Sequence, residues 1–327
     1  MEHSKDKKSY IKKILAKFYD QDFELVKILD DKFFSGSAVI KNNKLGGRYE
    51  NIKFLESVEE NTIKGFKKEV NILSIINHSN IPKVYDFLTY KDMVLFRTEY
   101  IDSYTLEDCL KIYKKKGKKF PLHTASTIIE KLAKALYHTH NDIKHNKKKL
   151  SIYHCDIKPS NILLKTTTHD KDKKLTLNTL VQCIEENKVE PYLIDFGISR
   201  FKGEKNKTER GTLHYLSPWQ LNKKNIGWRS DMYQLLLVYM EIATGKKPFE
   251  NYSRKEIIDE KKKGKCYIPK NTPYKIKNII EKGTCYNNKS QNIYKNEQEL
   301  IKDISRTKKH YIKNKLWDKY KKNIAVT

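Results

Sequence analysis

Cysteine is scarce in this chain and has no regular spacing. The 327 residues contain five cysteines, an odd number, and no two of them form a CxxC pair. No secretory leader precedes them, so the pattern does not predict the disulfide framework of a secreted protein. We therefore expect a reducing, cytoplasmic location. The cysteines are Cys109, Cys155, Cys183, Cys266 and Cys285.

Long apolar runs are also missing. The longest one, Leu235 to Tyr239 with its neighbours, is too short to span a bilayer, so no transmembrane segment is expected. The hydrophobic content of 38% is still ample for a core. The length suits one large domain or two.

Acidic residues are few relative to basic ones. Lysine and arginine number 67 against 40 aspartates and glutamates, which gives a net charge of +27. Such a charge can favour anionic partners, namely nucleic acid, acidic protein segments or a membrane surface. The lysines are dispersed among Asn, Ile and Tyr, as an AT-rich genome would produce, and no recognised nucleic-acid-binding fold accompanies them. We therefore expect a solvated basic surface, which leaves an acidic partner open and does not favour nucleic acid.

The residues that carry chemistry are concentrated in one stretch, His154 to Asn161, which reads His-Cys-Asp-Ile-Lys-Pro-Ser-Asn. A short apolar run that predicts a strand follows it. On such a loop Asp156 can accept the proton of an attacking hydroxyl, and Lys158 can neutralise charge on a transferred phosphate. Asn161 offers a neutral oxygen to Mg²⁺. The alternative is a solvated turn, because all of these polar residue types are common in loops.

A second stretch completes the pattern. Tyr192 to Ile194 predicts a strand that leads into Asp-Phe-Gly at 195–197, and with the first loop it resembles the catalytic and magnesium-binding loops of the eukaryotic-type protein kinase family. By this resemblance Asp156 is the catalytic base and Lys158 faces the substrate. The implied magnesium ligands are Asn161 and Asp195. The implied fold is α+β and two-lobed, with a small antiparallel β-sheet lobe containing one helix and a larger, mostly helical lobe.

Glycine is nearly absent where this family has its glycine-rich phosphate loop. Only Gly36 lies within the stretch from Leu29 to Val39. Asp30 or Asp31 occupies the position of the family's first glycine, and a carboxylate there would repel a nucleotide. This loop is therefore a clear departure from the family's pattern.

Other residues match the family's nucleotide site. Lys53, on a predicted strand, matches the lysine that orients the nucleotide phosphates, and Glu69, on a predicted helix, matches its carboxylate partner. Asn51 shares a strand face with Lys53 and stands where the family has a small alanine over the adenine. The resemblance implies ATP and Mg²⁺ as cofactors. The nucleotide-binding residues that it implies are Gly36, Val39, Lys53, Glu69, Glu99, Ile101 and Leu163.

The resemblance divides the chain into four parts. Residues 1–19 form a basic helical extension, 20–101 the small lobe, 102–302 the large lobe and 303–327 a basic tail. The large lobe contains a surplus at about 165–190, for which we expect an extra helix docked beside the active site. The apolar face of this helix would consist of Leu177, Leu180, Val181 and Ile184.

Two further stretches have a predicted local structure. The basic run at 111–119 is expected to be a mobile loop between two helices. The N-terminal extension has apolar residues at helical spacing, and we expect this face to pack on the body of the protein rather than on a membrane. The face consists of Tyr10, Ile11, Ile14, Leu15 and Phe18.

The segment at 211–219 resembles the family's peptide-positioning loop. In Ser/Thr-specific members the threonine at Thr212 bridges the catalytic aspartate and lysine, so the resemblance favours Ser/Thr hydroxyls as acceptors. Cys155 replaces the arginine that reads a loop phosphate. We therefore expect activity that does not require phosphorylation of Thr208.

Trp219 is a further departure from the family. It stands where the family has a glutamate buried against an arginine, and the arginine position aligns near Ile293. Replacing a whole buried ion pair by packed apolar residues can be energetically neutral. We therefore expect Trp219 to pack close to Ile293.

These features together predict a Ser/Thr protein kinase that transfers the γ-phosphate of ATP to protein hydroxyls. One alternative is a pseudokinase, a binding or scaffold module that keeps the fold with an altered nucleotide loop. A second alternative is a small-molecule phosphotransferase of similar architecture. That class lacks the Asp-Phe-Gly triplet and the segment at 211–218, so a protein substrate is favoured.

Overall fold

The chain forms two compact units. The computed structural model describes residues 9, 11–16, 22–31, 35–56, 59–90, 93–168, 175–204, 211–222, 226–264, 268–284 and 293–324. The N-terminal unit comprises residues 1–77 with 82–101, and the C-terminal unit comprises residues 78–81 with 102–327.

An antiparallel sheet forms most of the N-terminal unit. Its strands are β1 (Phe23–Asp31), β2 (Ser35–Asn42), β3 (Arg48–Glu56), β4 (Val84–Tyr90) and β5 (Met93–Glu99). They lie in the order β1-β2-β3-β5-β4. The turn between β2 and β3 places Gly46 and Gly47 at φ of 65° and 76°, a left-handed conformation that glycine adopts readily. One helix, α1 (Glu60–Ser74), connects β3 to β4 and packs on β4 and β5.

A helical segment at 11–16 packs on this sheet. Ile11, Ile14 and Leu15 are buried in one cluster with apolar side chains of β2, β3 and β5. The prediction that this face packs on the body of the protein is confirmed for these three residues. Tyr10 and Phe18, which belong to the same predicted face, lie outside the described residues.

The C-terminal unit is mostly helical. Its helices are α2 (Leu106–Lys115), α3 (Leu122–Asn141), α4 (Leu177–Glu185), α5 (Pro218–Leu221), α6 (Trp228–Thr244), α7 (Arg254–Lys262), α8 (Tyr274–Thr284) and α9 (Glu297–Ile324). Its short strands are β6 (Ser103–Thr105), β7 (Ile143–His145), β8 (Lys148–Leu150), β9 (Ile152–Tyr153), β10 (Ile162–Thr166), β11 (Val189–Leu193) and β12 (Arg200–Phe201). Helix α6 is buried along nearly its whole length and packs on α3 and α8. None of the helices in the described ranges is long and apolar enough to cross a membrane.

The last helix, α9, packs along α3. Ser305 of α9 donates a hydrogen bond of 2.6 Å to Glu130 of α3, and Lys308 forms an ion pair with the same carboxylate. The helix is continuous through residues 302 and 303, where the sequence analysis placed the end of the large lobe. The C-terminal basic stretch up to residue 324 therefore continues a helix that begins within the large lobe.

Two local predictions for the C-terminal unit need correction. The basic run at 111–119 is not a loop throughout, because α2 continues to Lys115. Lysine is a good helix former. Thr105 caps the start of the helix, since its hydroxyl accepts a hydrogen bond from the Asp108 amide. Helix α4 occurs where an extra helix was predicted, and Thr124 of α3 donates to its Ile184 carbonyl. Its buried face differs in one residue, since Leu177 is 41% exposed and Cys183 is buried instead.

Candidate active site

The N-terminal unit contains a partly buried ion pair between β3 and α1. Lys53 Nζ lies 2.7 Å from Glu69 Oε1. Glu69 is only 5% exposed because the face of α1 that it shares with Phe66 and Val70 is buried. A carboxylate buried this deeply requires a compensating cation. The pair fixes the position of the lysine side chain, which stays about one third exposed and can meet an anion.

Asn51 and Thr98 form a polar pair on the same sheet. Asn51 Nδ2 donates to Thr98 Oγ1 at 3.3 Å between β3 and β5. Asn51 Oδ1 is buried and has no hydrogen-bond partner in the part of the chain that the structure describes. The Glu99 amide donates to the Lys83 carbonyl at 2.8 Å. The remaining predicted nucleotide-binding residues of this unit are Gly36 and Val39, both buried on β2, and Ile101, which is 5% exposed.

In the C-terminal unit, the pairing of β10 with β11 brings the two predicted magnesium ligands to the same end of one strand pair. The strands are antiparallel, and the Ile194 amide donates to the Asn161 carbonyl at 3.0 Å. Asn161 directly precedes β10, and Asp195 follows Ile194 beyond the end of β11. Leu163, also predicted to bind nucleotide, lies on β10 and is half-buried.

Asp156 is surrounded by residues that the sequence analysis grouped with it. Lys158 Nζ lies 2.8 Å from Asp156 Oδ2 and 3.0 Å from Thr212 Oγ1. The Thr212 amide donates to Asp156 Oδ1 at 3.3 Å. Asn161 Nδ2 donates to the Asp156 carbonyl at 2.8 Å and to its Oδ2 at 3.2 Å. A carboxylate, an ammonium and a hydroxyl are thus held side by side, an arrangement that can accept a proton and neutralise phosphate charge.

The close approach of the segment 211–216 to Asp156 requires glycine at its start. Gly211 has a φ of +117°, a backbone conformation that is strained for other residues. A Cβ atom there would lie 2.8 Å from Leu216 Cδ2 and 3.4 Å from Asp156 Oδ1. Any side chain at this position would therefore press on Leu216 and lie in contact with the carboxylate.

Side chains of α5 and α6 form hydrogen bonds with the main chain of the loop that carries Asp156. Asp231 accepts hydrogen bonds from the amides of His154 and Cys155 at 2.7 and 2.8 Å. The Cys155 carbonyl accepts from Gln220 at 2.7 Å and from Gln234 at 3.1 Å. Cys155 has a φ of 72°, which costs energy for a residue with a side chain. These four hydrogen bonds stabilise that strained conformation.

Asp231 is itself part of a buried charged group that joins three helices. His140 of α3 lies between Asp231 of α6, at 2.8 Å, and Glu297 of α9, at 2.6 Å. Asn141 donates to the second oxygen of Glu297 at 2.7 Å. Burial lowers the pKa of His140, but the two carboxylates outweigh the burial and raise that pKa to about 9. The imidazole is therefore charged at neutral pH and shields Asp231.

His140 and Glu297 were not among the residues predicted from the sequence. A histidine on a helix face that is otherwise buried and mostly apolar was a weak signal for His140. Its partner lies 157 residues away along the chain, and no local pattern identifies such a pair.

His154 connects the loop at 154–161 with β11, the strand that leads to Asp195. The Asp156 amide donates to His154 Nδ1 at 3.2 Å, so the ring proton is on Nε2, which donates to the Ile194 carbonyl at 3.1 Å. The ring also packs edge-on against Phe196, with centroids 4.6 Å apart. Asp195 is exposed and has a φ of 67°, a left-handed conformation that is uncommon outside glycine.

Asn161 and Asp195 offer oxygen atoms of the kind that Mg²⁺ prefers. The Asn161 nitrogen donates to Asp156, so the side-chain oxygen is the atom that can ligate a metal. One carboxylate and one amide oxygen suit Mg²⁺, which protein sites bind through few side chains together with water and substrate phosphates. Across the described ranges, no group of three or more His, Cys, Asp or Glu side chains is arranged to hold a metal ion.

The predicted contact between Trp219 and Ile293 stays a prediction. The Trp219 ring packs edge-on against Tyr233 of α6, with centroids 6.3 Å apart. Ile293 lines a pocket together with Tyr294 of the preceding loop and Arg306 of α9.

Comparisons with known proteins agree with this architecture. The family model described as protein kinase domain matches residues 35–314. A probable serine/threonine-protein kinase of Clostridium perfringens is 27% identical over 307 residues, which cover 90% of this chain and 40% of that protein. The serine/threonine-protein kinase PrkC of Bacillus subtilis is 28% identical over 244 residues, 71% of this chain and 32% of that protein. An Aurora kinase of Yarrowia lipolytica is 29% identical over 232 residues, 70% of this chain and 54% of that protein. The chain thus spans two fifths or less of the length of these two bacterial relatives.

Proposed function

Because this chain belongs to the protein kinase family, we propose that it transfers the γ-phosphate of ATP to serine or threonine hydroxyls of proteins. The observation that carries this proposal is the cluster of Asp156, Lys158 and Thr212, in which the ammonium lies 2.8 Å from the carboxylate and 3.0 Å from the threonine hydroxyl. The two bacterial relatives named above are a probable serine/threonine-protein kinase and a serine/threonine-protein kinase, which supports the same acceptor class.

In the proposed reaction, the oxygen of the acceptor hydroxyl attacks the γ-phosphorus. Asp156 accepts the proton of that hydroxyl in the same step. The bond between the γ-phosphorus and the bridging oxygen breaks, and ADP leaves with that oxygen. Lys158 neutralises charge on the transferred phosphoryl group. Thr212 holds Lys158 in place and fixes Asp156 through its amide, so base and ammonium keep their relative orientation.

In this proposal the ion pair of Lys53 and Glu69 positions the phosphates of the nucleotide. The ion pair directs the Lys53 ammonium, which would bind oxygens of the α- and β-phosphates. Asn161 and Asp195 would hold Mg²⁺, which when bound neutralises the charge of the phosphates. The backbone of Glu99 and Ile101 would meet the adenine edge, and Gly36, Val39 and Leu163 would pack around the nucleotide.

The test is phosphate transfer by the purified chain. It is incubated with γ-labelled ATP and Mg²⁺, with generic protein substrates and with small hydroxyl compounds. We expect label on protein serine or threonine, and loss of that label in Asp156→Asn and in Lys53→Met. Asp142→Asn and Lys64→Met, which change exposed residues of the same types, should keep it. Label on the small compounds alone, or equal label in all four variants, would refute the proposal.

One observation favours the alternative of a pseudokinase. Asn51 places a carboxamide where active family members have alanine over the adenine, and its buried Oδ1 has no partner among the described residues. The carboxamide is larger than an alanine side chain, and its buried oxygen is costly unless a donor reaches it. A pseudokinase would bind ATP without transferring phosphate, or bind no ATP. Equilibrium binding of a fluorescent ATP analogue, measured beside the transfer assay, separates these outcomes.

A further inference from the structure

Lys261, near the end of α7, is fully buried. Its ammonium contacts the segment that follows Thr212. We propose that Lys261 is the positioning residue that shapes residues 213–216 into the platform on which the substrate peptide lies. This inference rests on the proposed kinase function for its role in substrate binding. Its structural part, that one ammonium determines the path of the segment, can be tested without any activity.

Lys261 donates hydrogen bonds to main-chain oxygens. Its Nζ donates to the carbonyls of Leu213 and His214, both at 2.8 Å, and of Leu216 at 2.7 Å. An ammonium has three N–H groups, and these three carbonyls match them in number. The ammonium also lies 5.1 Å from the centre of the Phe249 ring, within the range of a cation–π interaction. The side chain is 0% exposed, so water does not replace these contacts.

Three carbonyls that point to one buried centre need a cation there. Carbonyl oxygens carry partial negative charge and repel one another when they converge. Without the ammonium the three carbonyls would lose their shared donor, which is most costly for the carbonyl of the buried Leu216. The segment would then have to turn these carbonyls outward. Lys261 therefore determines the path of the main chain from Leu213 to Leu216.

The segment has two side-chain anchors and one hydrogen-bonded turn besides the contacts with Lys261. The Tyr215 hydroxyl is hydrogen-bonded to Glu241, and His214 Nδ1 lies 2.8 Å from the Pro248 carbonyl. Both are side-chain contacts. The amides of Tyr215 and Leu216 donate to the Thr212 carbonyl at 2.8 and 3.1 Å, which closes a turn directly after the threonine. A change in the turn therefore moves Thr212.

The neighbour Lys262 provides a matched control. It has the same side chain one residue further along the same helix and is exposed. Lys261→Met keeps the length of the side chain and removes its charge and its donors. Lys261→Arg keeps the charge and supplies donors in a different geometry. Lys262→Met removes an equal charge from the surface and tests for effects of net charge.

The first measurement is steady-state kinetics with a peptide substrate. Lys261→Met should raise the KM for the peptide at least about tenfold, because hydrogen bonds to charged groups are among the strongest in proteins. Its KM for ATP should stay within about twofold, since Lys53 and Glu69 are unchanged, and Lys261→Arg should recover part of the loss. Equal KM values for the peptide in Lys261→Met, Lys262→Met and the unmodified protein would overturn the proposal.

The second measurement is hydrogen exchange, which does not depend on activity. The amides of Tyr215 and Leu216 should exchange at least about tenfold faster in Lys261→Met than in Lys262→Met, because the turn that protects them loses its cation. If the unmodified protein transfers no phosphate, the proposed function fails, and this comparison still decides the role of Lys261. If Lys261→Met does not fold, exchange in the unmodified protein at rising denaturant decides it. The two turn amides should then open together with the amides of α7, and separate opening would refute the role.

Discussion

Raising the pH should remove most of the stability that His140 gives to the C-terminal unit. In the unfolded chain its imidazole has the ordinary pKa of 6.5, whereas the carboxylates of Asp231 and Glu297 overcome the effect of burial and raise the pKa to about 9 in the folded chain. The folded state therefore binds the proton more tightly. The contribution to the free energy of unfolding is fully present below pH 6.5 and is lost as the pH rises through 9.

The size of this contribution follows from the two pKa values. They lie about 2.5 apart, and each pKa unit corresponds to about 1.4 kcal/mol, so His140 contributes about 3 kcal/mol at pH 6. Little of it remains at pH 9.5. Because domains of this kind are stable by only about 5 to 15 kcal/mol, the change is easy to measure.

The assay is urea unfolding at pH 6 and at pH 9.5. His140→Gln removes the titrating group and leaves Asp231 and Glu297 without their cation at both pH values. The substitution should cost about 3 kcal/mol more at pH 6 than at pH 9.5. The control is His145→Gln, which changes an exposed histidine on β7. A cost of His140→Gln that is the same at both pH values, or a pH dependence that His145→Gln reproduces, would refute the reasoning.

Three further results are expected. Gly211→Ala should lower kcat at least about tenfold with little change in the KM for ATP, because the new Cβ presses on Leu216 and contacts Asp156. Unchanged steady-state kinetics would contradict this. Glu69→Gln should raise the KM for ATP several-fold, since the amide holds Lys53 less tightly than the carboxylate does, and an unaltered KM would speak against the nucleotide role of the pair. Thr208→Ala should keep its activity within about twofold in a transfer assay, because Cys155 has no charge with which to read a loop phosphate; a large loss would show that phosphorylation is required.

The fold class was predictable because two short stretches, at 154–161 and 195–197, resemble loops of the protein kinase family. That resemblance implied a small antiparallel sheet with one helix and a larger helical part, and the structure and the family match confirm both. The pair of Lys53 and Glu69 and the group around Asp156 also occur as the family resemblance implied. Their roles in binding ATP and in catalysis stay predictions until transfer is measured.

The remaining features depend on burial, which a single sequence does not reveal. Lys261 lies in the basic run Lys261 to Lys263 and looks like part of a solvated surface, yet only its neighbours are exposed. Glu297 looks like an ordinary first-turn glutamate. Leu177 fits the periodicity of a buried face and is nevertheless exposed, as are its neighbours Thr176 and Asn178 at the start of α4.

Glu297 of α9 is linked through His140 and Asp231 to the amides of residues 154 and 155, and this link has a consequence for synthesis of the chain. His140 and Asp231 emerge from the ribosome well before Glu297, which completes their charged group. A nascent chain that ends before residue 297 would keep the pair of His140 and Asp231 but would lack the acceptor for the His140 Nδ1 proton, and a buried donor without an acceptor is costly. The hydrogen bonds of Asp231 to residues 154 and 155 should therefore reach their full strength only after α9 has been translated.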